Sequence, residues 1–137
     1  MTDDCNYDEL RQRFDASPYA VLLGMRVVAL ARGYARLELR VRPEFANFAG
    51  LTHGGLLMSL ADHAFGCALN TLGRTYVAVQ FNIHFLGTAT DGELLVAEGR
   101  VVHAGRTSGL GEMEVRNGGG RLVARATGTV VAFARSP

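Results

Sequence analysis

Residues 53–72 read His53-Gly54-Gly55-Leu56-Leu57-Met58-Ser59-Leu60-Ala61-Asp62-His63-Ala64-Phe65-Gly66-Cys67-Ala68-Leu69-Asn70-Thr71-Leu72. No other long stretch of the chain lacks turn chemistry inside it, so the pattern predicts one helix over residues 54–72. Leu56, Leu57, Leu60, Ala61, Ala64, Phe65, Ala68 and Leu69 cover more than one face. A helix so apolar is expected to be buried on most of its sides. Thr52 or His53 stands where an N-cap belongs, and Gly73 where a C-terminal stop belongs.

On either side of this helix the period changes to two. In residues 35–42, Leu37, Leu39 and Val41 alternate with Arg36, Glu38, Arg40 and Arg42, the pattern of a half-buried strand. Gly33-Tyr34 joins it by a hairpin turn to a preceding strand over residues 25–31. Residues 43–53 read as a loop. Beyond the helix come strands at 76–86, 93–102, 107–116 and 121–133, with Val77, Val79, Phe81, Ile83 and Phe85 expected on one face of the first. Short turns among these four predict antiparallel neighbours. The class is therefore α+β: one long helix against one curved antiparallel sheet, which buries both apolar faces. Residues 1–17 form a polar segment with a short helix at 7–14 that Pro18 is expected to end. Residues 18–137 form a single domain.

Composition narrows the chemistry. The chain has 137 residues, 48% of them hydrophobic, enough for one core. The formal charge of +1 gives no general pull toward nucleic acid. All 14 basic residues are Arg, which excludes amine-nucleophile chemistry on a lysine. Cys5 and Cys67 make neither a disulfide framework nor metal spacing, and Cys67 reads as a buried small hydrophobe. No His/Asp/Glu set has ligand spacing, so no metal is expected. The start has no secretory pattern and no apolar run spans a bilayer, so a cytoplasmic location with no membrane or nucleic-acid partner is expected.

Two features point to chemistry. Gly54 and Gly55 open the helix, where first-turn N–H groups lack internal acceptors and the dipole is positive. Without side chains there, a carbonyl oxygen can approach the backbone, as in an oxyanion hole; the plain alternative is a tight loop-to-helix turn. Asp62 stands among apolar neighbours on the same helix, where desolvation raises a carboxylate's pKa and its strength as a base. The plain alternative is a carboxylate paired with His63, an Arg or a capping group. The two positions are eight residues apart, about 12 Å along one helix. One helix does not bring both to one reacting atom; two antiparallel copies do. If both act, the site is shared across a twofold dimer.

The run Asn47, His53-Gly54-Gly55 and Asp62, followed by Val79-Gln80-Phe81-Asn82-Ile83-His84-Phe85 and by Gly105-Arg106-Thr107, resembles the hotdog-fold acyl-CoA thioesterases, in particular the phenylacetate-pathway branch. The likeness covers roughly residues 20–133. It implies a hotdog fold assembled as homodimers and often homotetramers. It also implies hydrolysis of aryl or medium-chain acyl-CoA thioesters, with coenzyme A as part of the substrate and no separate cofactor. Asp62 matches the catalytic carboxylate, nucleophile or general base, and Gly54 the amide that polarises the thioester carbonyl. Asn47 and His53 match residues that place the thioester and water, though His53 also suits a simple cap. Gly55 belongs to the same substrate-binding turn. His103, Ala104, Gly105, Arg106 and Thr107 match a segment along the coenzyme A nucleotide, with Arg106 able to meet a phosphate; an exposed bulge is the alternative. Gln80 and Phe85 match positions near the pantetheine and acyl channel, and Phe85 suits ordinary core equally. Leu51, Met58 and Phe65 are expected to line that channel. Where some relatives carry Ser or Thr to hold the attacking water, this chain has Ala78. A non-catalytic acyl-CoA binding module on the same fold is the second reading, although a binder has no need of Asp62. A hydratase fits the motif poorly.

Overall fold

The structure is a computed structural model that describes residues 6–133; Cys5 lies outside the described residues. Its centre is the helix α3, Gly54–Asn70, lying against a six-stranded antiparallel sheet. The strands are β1 Arg26–Ala31, β2 Tyr34–Arg40, β3 Tyr76–Phe85, β4 Leu94–Ala104, β5 Ser108–Arg116 and β6 Leu122–Ala132. They lie in the order β1-β2-β4-β5-β6-β3.

That order corrects one expectation. β4, β5 and β6 are antiparallel neighbours joined by tight turns, but β3 does not pair with β4. It pairs with β6 at the far edge, and residues 86–93 carry the chain from that edge back to β4, which lies beside β2. A connection of that length leaves room for a crossover, so adjacency in sequence does not fix adjacency in the sheet.

Packing explains why α3 sits where it does. Phe65 is 1% exposed, and its ring lies over Gly111 of β5 and Gly128 of β6, which are partners in the ladder. A Cβ on either glycine would run into the ring. A Cβ on Gly99 of β4 would come within 2.7 Å of the Ala64 carbonyl oxygen. Three strands thus give up side chains at the middle of the sheet so that the helix backbone can approach. The sequence offers Phe65 both to the buried faces of the helix and to an acyl channel; the structure makes it the centre of the core, because those glycines form the hollow that receives it. Leu37, Leu39 and Val41 are buried, as their alternation requires.

Two helices precede the sheet. α1, Tyr7–Asp15, is capped by Asn6, whose side chain accepts the Glu9 N–H at 3.1 Å. Its Phe14 packs against the core, and Asp15 Oδ1 accepts the Val27 N–H at 2.8 Å. Pro18 does more than end this helix: it begins α2, Pro18–Leu23. Proline suits the first turn of a helix, where its missing N–H costs nothing. α2 closes on Gly24, with φ 79°, in a left-handed turn.

β3 carries a bulge at Val79, because Ala78 pairs with Val130 while Gln80 pairs with Thr129. The extra residue resets the alternation. Phe81, Ile83 and Phe85 keep the helix-facing side, as expected, but Val77 turns to the outer face with Val131, and Ala78 turns inward with Val130.

Candidate active site

The first turn of α3 is built by His53. Its Nδ1 accepts the Gly55 N–H at 2.9 Å, and its carbonyl accepts the Leu56 N–H at 3.0 Å. A ring nitrogen that accepts is unprotonated, so the proton of the neutral imidazole sits on Nε2. The His53 N–H itself is fixed to the Phe45 carbonyl at 2.8 Å. Among the described residues no acceptor faces the Gly54 N–H. The glycine pair thus divides its labour: Gly55 is consumed in capping, and Gly54 keeps a free amide at the positive end of the helix. A Cβ on Gly54 would stand 3.3 Å from the Phe85 ring, so that aromatic covers the same turn. His53, Gly54, Gly55 and Phe85 therefore come together.

Asn47 holds the loop that leads in. Its Oδ1 accepts the N–H groups of Ala49 at 2.9 Å and Leu51 at 3.1 Å, and its own N–H donates to the Leu51 carbonyl at 2.6 Å. With that oxygen committed, the side chain has its NH2 group to offer a ligand.

Asp62 lies two turns further along α3, on a stripe with Gly55, Met58 and Asn70 that the sheet does not cover. No hydrogen bond or salt bridge engages its carboxylate among the described residues. Although the side chain reaches solvent, the protein packed around it removes enough water to raise its pKa above the ordinary aspartate value, and His63 opposes this only in part. His63, on the flank of the helix, is pushed the other way by burial, against the pull of Asp62 and Asp15. It lies 3.8 Å from the Cys67 sulfur. Cys67 is buried and its thiol pKa is strongly raised by desolvation, so it is an inert hydrophobe and not a nucleophile.

The segment His103–Thr107 lies elsewhere. It follows a bulge in β4 and forms the tight connection to β5, with the Gly105 N–H donating to the Ser108 carbonyl at 2.8 Å. Arg74, just past the end of α3, donates to the carbonyls of Gly105 at 3.2 Å and Arg106 at 2.9 Å, and Tyr76 Oη donates to Gly105 at 3.1 Å. Arg74 thus brings its guanidinium to the turn that carries Arg106, with no carboxylate bound to either among the described residues. Arg74 was invisible as a site residue in the sequence, because nothing near it marks a contact some thirty residues away. Gln80 is on the outer face of β3, where its Oε1 accepts from Thr129 Oγ1 at 3.3 Å; it does not join Phe85.

Within one chain these groups lie in three places: the Gly54 turn at the start of α3, Asp62 at its middle, and the Arg74–Arg106 turn beyond its end. A helix of 17 residues is about 25 Å long. Among the described residues there is no group of His, Cys, Asp and Glu that could hold a metal, and no helix is long and apolar enough to cross a membrane.

The arrangement has known counterparts. Residues 49–124, from the loop before α3 into β6, match the family model of the thioesterase superfamily. The acyl-coenzyme A thioesterase PaaI of Escherichia coli is 35% identical over 98 residues, 72% of this chain and 70% of that protein. The structure of the PaaI protein superposes with a TM-score of 0.90 at 28% identity, over 95% of this chain and 94% of that one. A Streptococcus mutans protein bound to acetyl CoA superposes with a TM-score of 0.78 at 28% identity, over 82% and 91% of the two chains. Helix, sheet order and motif agree in one conclusion: this chain belongs to the thioesterase superfamily, as a thioester hydrolase on the hotdog fold.

Proposed function

We propose that the protein hydrolyses acyl-CoA thioesters with aryl or medium-chain acyl groups, at two equivalent sites shared between the subunits of a homodimer. The observation that carries this reading is the pairing of two groups on α3 that no other group engages among the described residues: the Gly54 amide and the Asp62 carboxylate. The Gly54 N–H receives the thioester carbonyl, and the His53 Nε2–H is a second donor for the developing oxyanion. Asp62 of the other subunit attacks the carbonyl carbon directly or takes a proton from the attacking water. Collapse of the tetrahedral intermediate then expels the coenzyme A thiolate. Where water attacked, this gives the free acid at once; where Asp62 attacked, it leaves an acyl–aspartyl anhydride that a water molecule hydrolyses to the free acid. Arg106 and Arg74 hold the nucleotide phosphates.

Geometry sets the register of the dimer. Antiparallel helices that put Gly54 opposite Asp62 cross at Met58, which lies midway between them and is 44% exposed. The same arrangement brings the Arg74–Arg106 turn of one subunit toward the Gly54 end of the other. β3 is suited to the interface as well. It is an edge strand with unpaired backbone groups along its outer side, and it exposes Val79 and Phe85. Covering the stripe withdraws more water from Asp62 and strengthens the upward shift already present in the single chain.

Complementation tests both halves of this reading. Asp62→Ala and Gly54→Pro each lower release of free CoA, followed with a thiol reagent, by about 10^2-fold or more. Refolded together at equal amounts, the two variants regain about a quarter of wild-type activity, because half the dimers are mixed and each mixed dimer has one intact site of two. Unchanged turnover in Asp62→Ala removes the carboxylate from the mechanism. Absence of recovery in the mixture removes the sharing.

A further inference from the structure

We propose that α2 reads the size of the acyl group, with Tyr19 and Ser59 as its specificity-determining residues, and that the site takes compact, ring-sized acyl groups in preference to long alkyl chains. This rests on the hydrolase reading above and assigns the place of the acyl end within it.

A cavity of about 210 Å3 lies between α2 and the first two turns of α3. It is continuous with the catalytic turn, since His53 and Gly55 form one of its walls. Leu23, Phe45 and Leu56 supply apolar walls, and Tyr19 and Ser59 close it with two hydroxyl groups 2.7 Å apart. Ser59 in turn donates to the Gly55 carbonyl at 2.9 Å, so this closure is tied to the glycine pair itself. The volume is below the roughly 300–1,000 Å3 of pockets that take drug-sized ligands. A single ring fills such a space; a long chain extends beyond it, past the Tyr19 ring.

The wall is fixed at both ends. Arg42 donates through Nη2 to the Leu22 carbonyl at 2.8 Å, which anchors the end of α2. The same guanidinium pairs with Glu44 at 2.9 Å and lies over the Phe45 ring at 4.5 Å. Glu44 also borders the cavity, but its charge is engaged by Arg42, so the space does not select a cation. The Tyr19–Ser59 bond is the second tie, and it joins α2 to α3. Tyr19 is 54% exposed, so its ring can swing outward once the bond is lost.

Binding of two non-hydrolysable thioethers, S-benzyl-CoA and S-dodecyl-CoA, tests this by calorimetry on the whole chain. The wild-type protein is expected to prefer the benzyl compound, and Tyr19→Ala to move the ratio of affinities toward the dodecyl compound on the order of tenfold. Tyr19→Phe and Ser59→Ala, which keep the ring and lose the bond, shift it the same way by less. A wild-type preference for the dodecyl compound, or an unchanged ratio in a folded Tyr19→Ala, overturns the proposal. If Tyr19→Ala fails to fold, an unchanged ratio in both conservative variants does so. Thioethers report binding alone, so a failure of the hydrolase reading shows in CoA release and leaves this ratio untouched.

Discussion

The two sides of α3 do opposite jobs with the same backbone. One side, with Leu57, Leu60, Ala61, Ala64, Phe65 and Ala68, is wholly buried against the sheet. The other, with Gly55, Met58, Asp62 and Asn70, is left open by the chain that carries it. On the first side every neighbour is matched, down to the glycines of β5 and β6 that admit the Phe65 ring. On the second, and at the Gly54 turn that leads into it, a carboxylate and an amide have no partner among the described residues. A helix whose stability is secured on one face is free to hold unsatisfied groups on the other, and such groups are what a substrate and a second subunit can engage.

That contrast can be broken from either side. The largest effect is expected at the open face: Gly54→Pro should lower kcat about 10^2–10^3-fold by deleting one oxyanion donor. The helix should survive, because Gly54 is its first residue and His53, with φ −63° and ψ 136°, already has the conformation a following proline requires. Gly54→Ala makes the same contact with Phe85 but keeps the N–H, and should lose far less. Equal loss in the two variants would mean that the side-chain clash, and not the donor, matters.

The opposite result is expected at the buried face. Phe65→Ala should cost about 3–5 kcal/mol in denaturant unfolding, as for other large core aromatics. The protein that remains folded should keep its kcat, since the ring touches the sheet and not the substrate.

A smaller effect sharpens the comparison through pH. Burial raises the Asp62 pKa, so kcat/KM should fall with acid through an inflection above the ordinary aspartate value of about 3.9. For stability the sign is the same: the folded state binds this proton more readily than the unfolded chain, so ionised Asp62 costs stability above its folded pKa. That cost disappears as pH drops below the unfolded value. Asp62→Asn should therefore raise Tm slightly at neutral pH and leave it unchanged in strong acid. A lower Tm at neutral pH would reveal a favourable interaction of the carboxylate.

Much of this was legible beforehand, and the reasons differ by residue. The helix, the alternating strands, and the prominence of His53, Gly54 and Asp62 follow from local rules: period, capping, and the cost of a carboxylate among apolar neighbours. Pro18 reads in the sequence as a stop only, while in the structure it also starts α2, because proline is compatible with both and nothing local shows the second helix. Phe65 suits both helix core and channel in the sequence and is core in the structure, since its environment is made by Gly111 and Gly128 from distant strands. The bulge at Val79 turns Val77 outward and Ala78 inward, which an uninterrupted alternation does not reveal.

By itself, then, the sequence determined the element types, the single core and which residues are candidates for unusual chemistry, since each depends on neighbours within a turn or two. Only the tertiary structure decided that β3 lies at the edge, that Arg74 meets the 103–107 turn, that Gly55 is spent while Gly54 is free, and that α2 closes a cavity with Tyr19 against Ser59. Each of those depends on which of several chemically equal partners comes within hydrogen-bond or contact distance, and folding chooses among them through the packing of the whole chain.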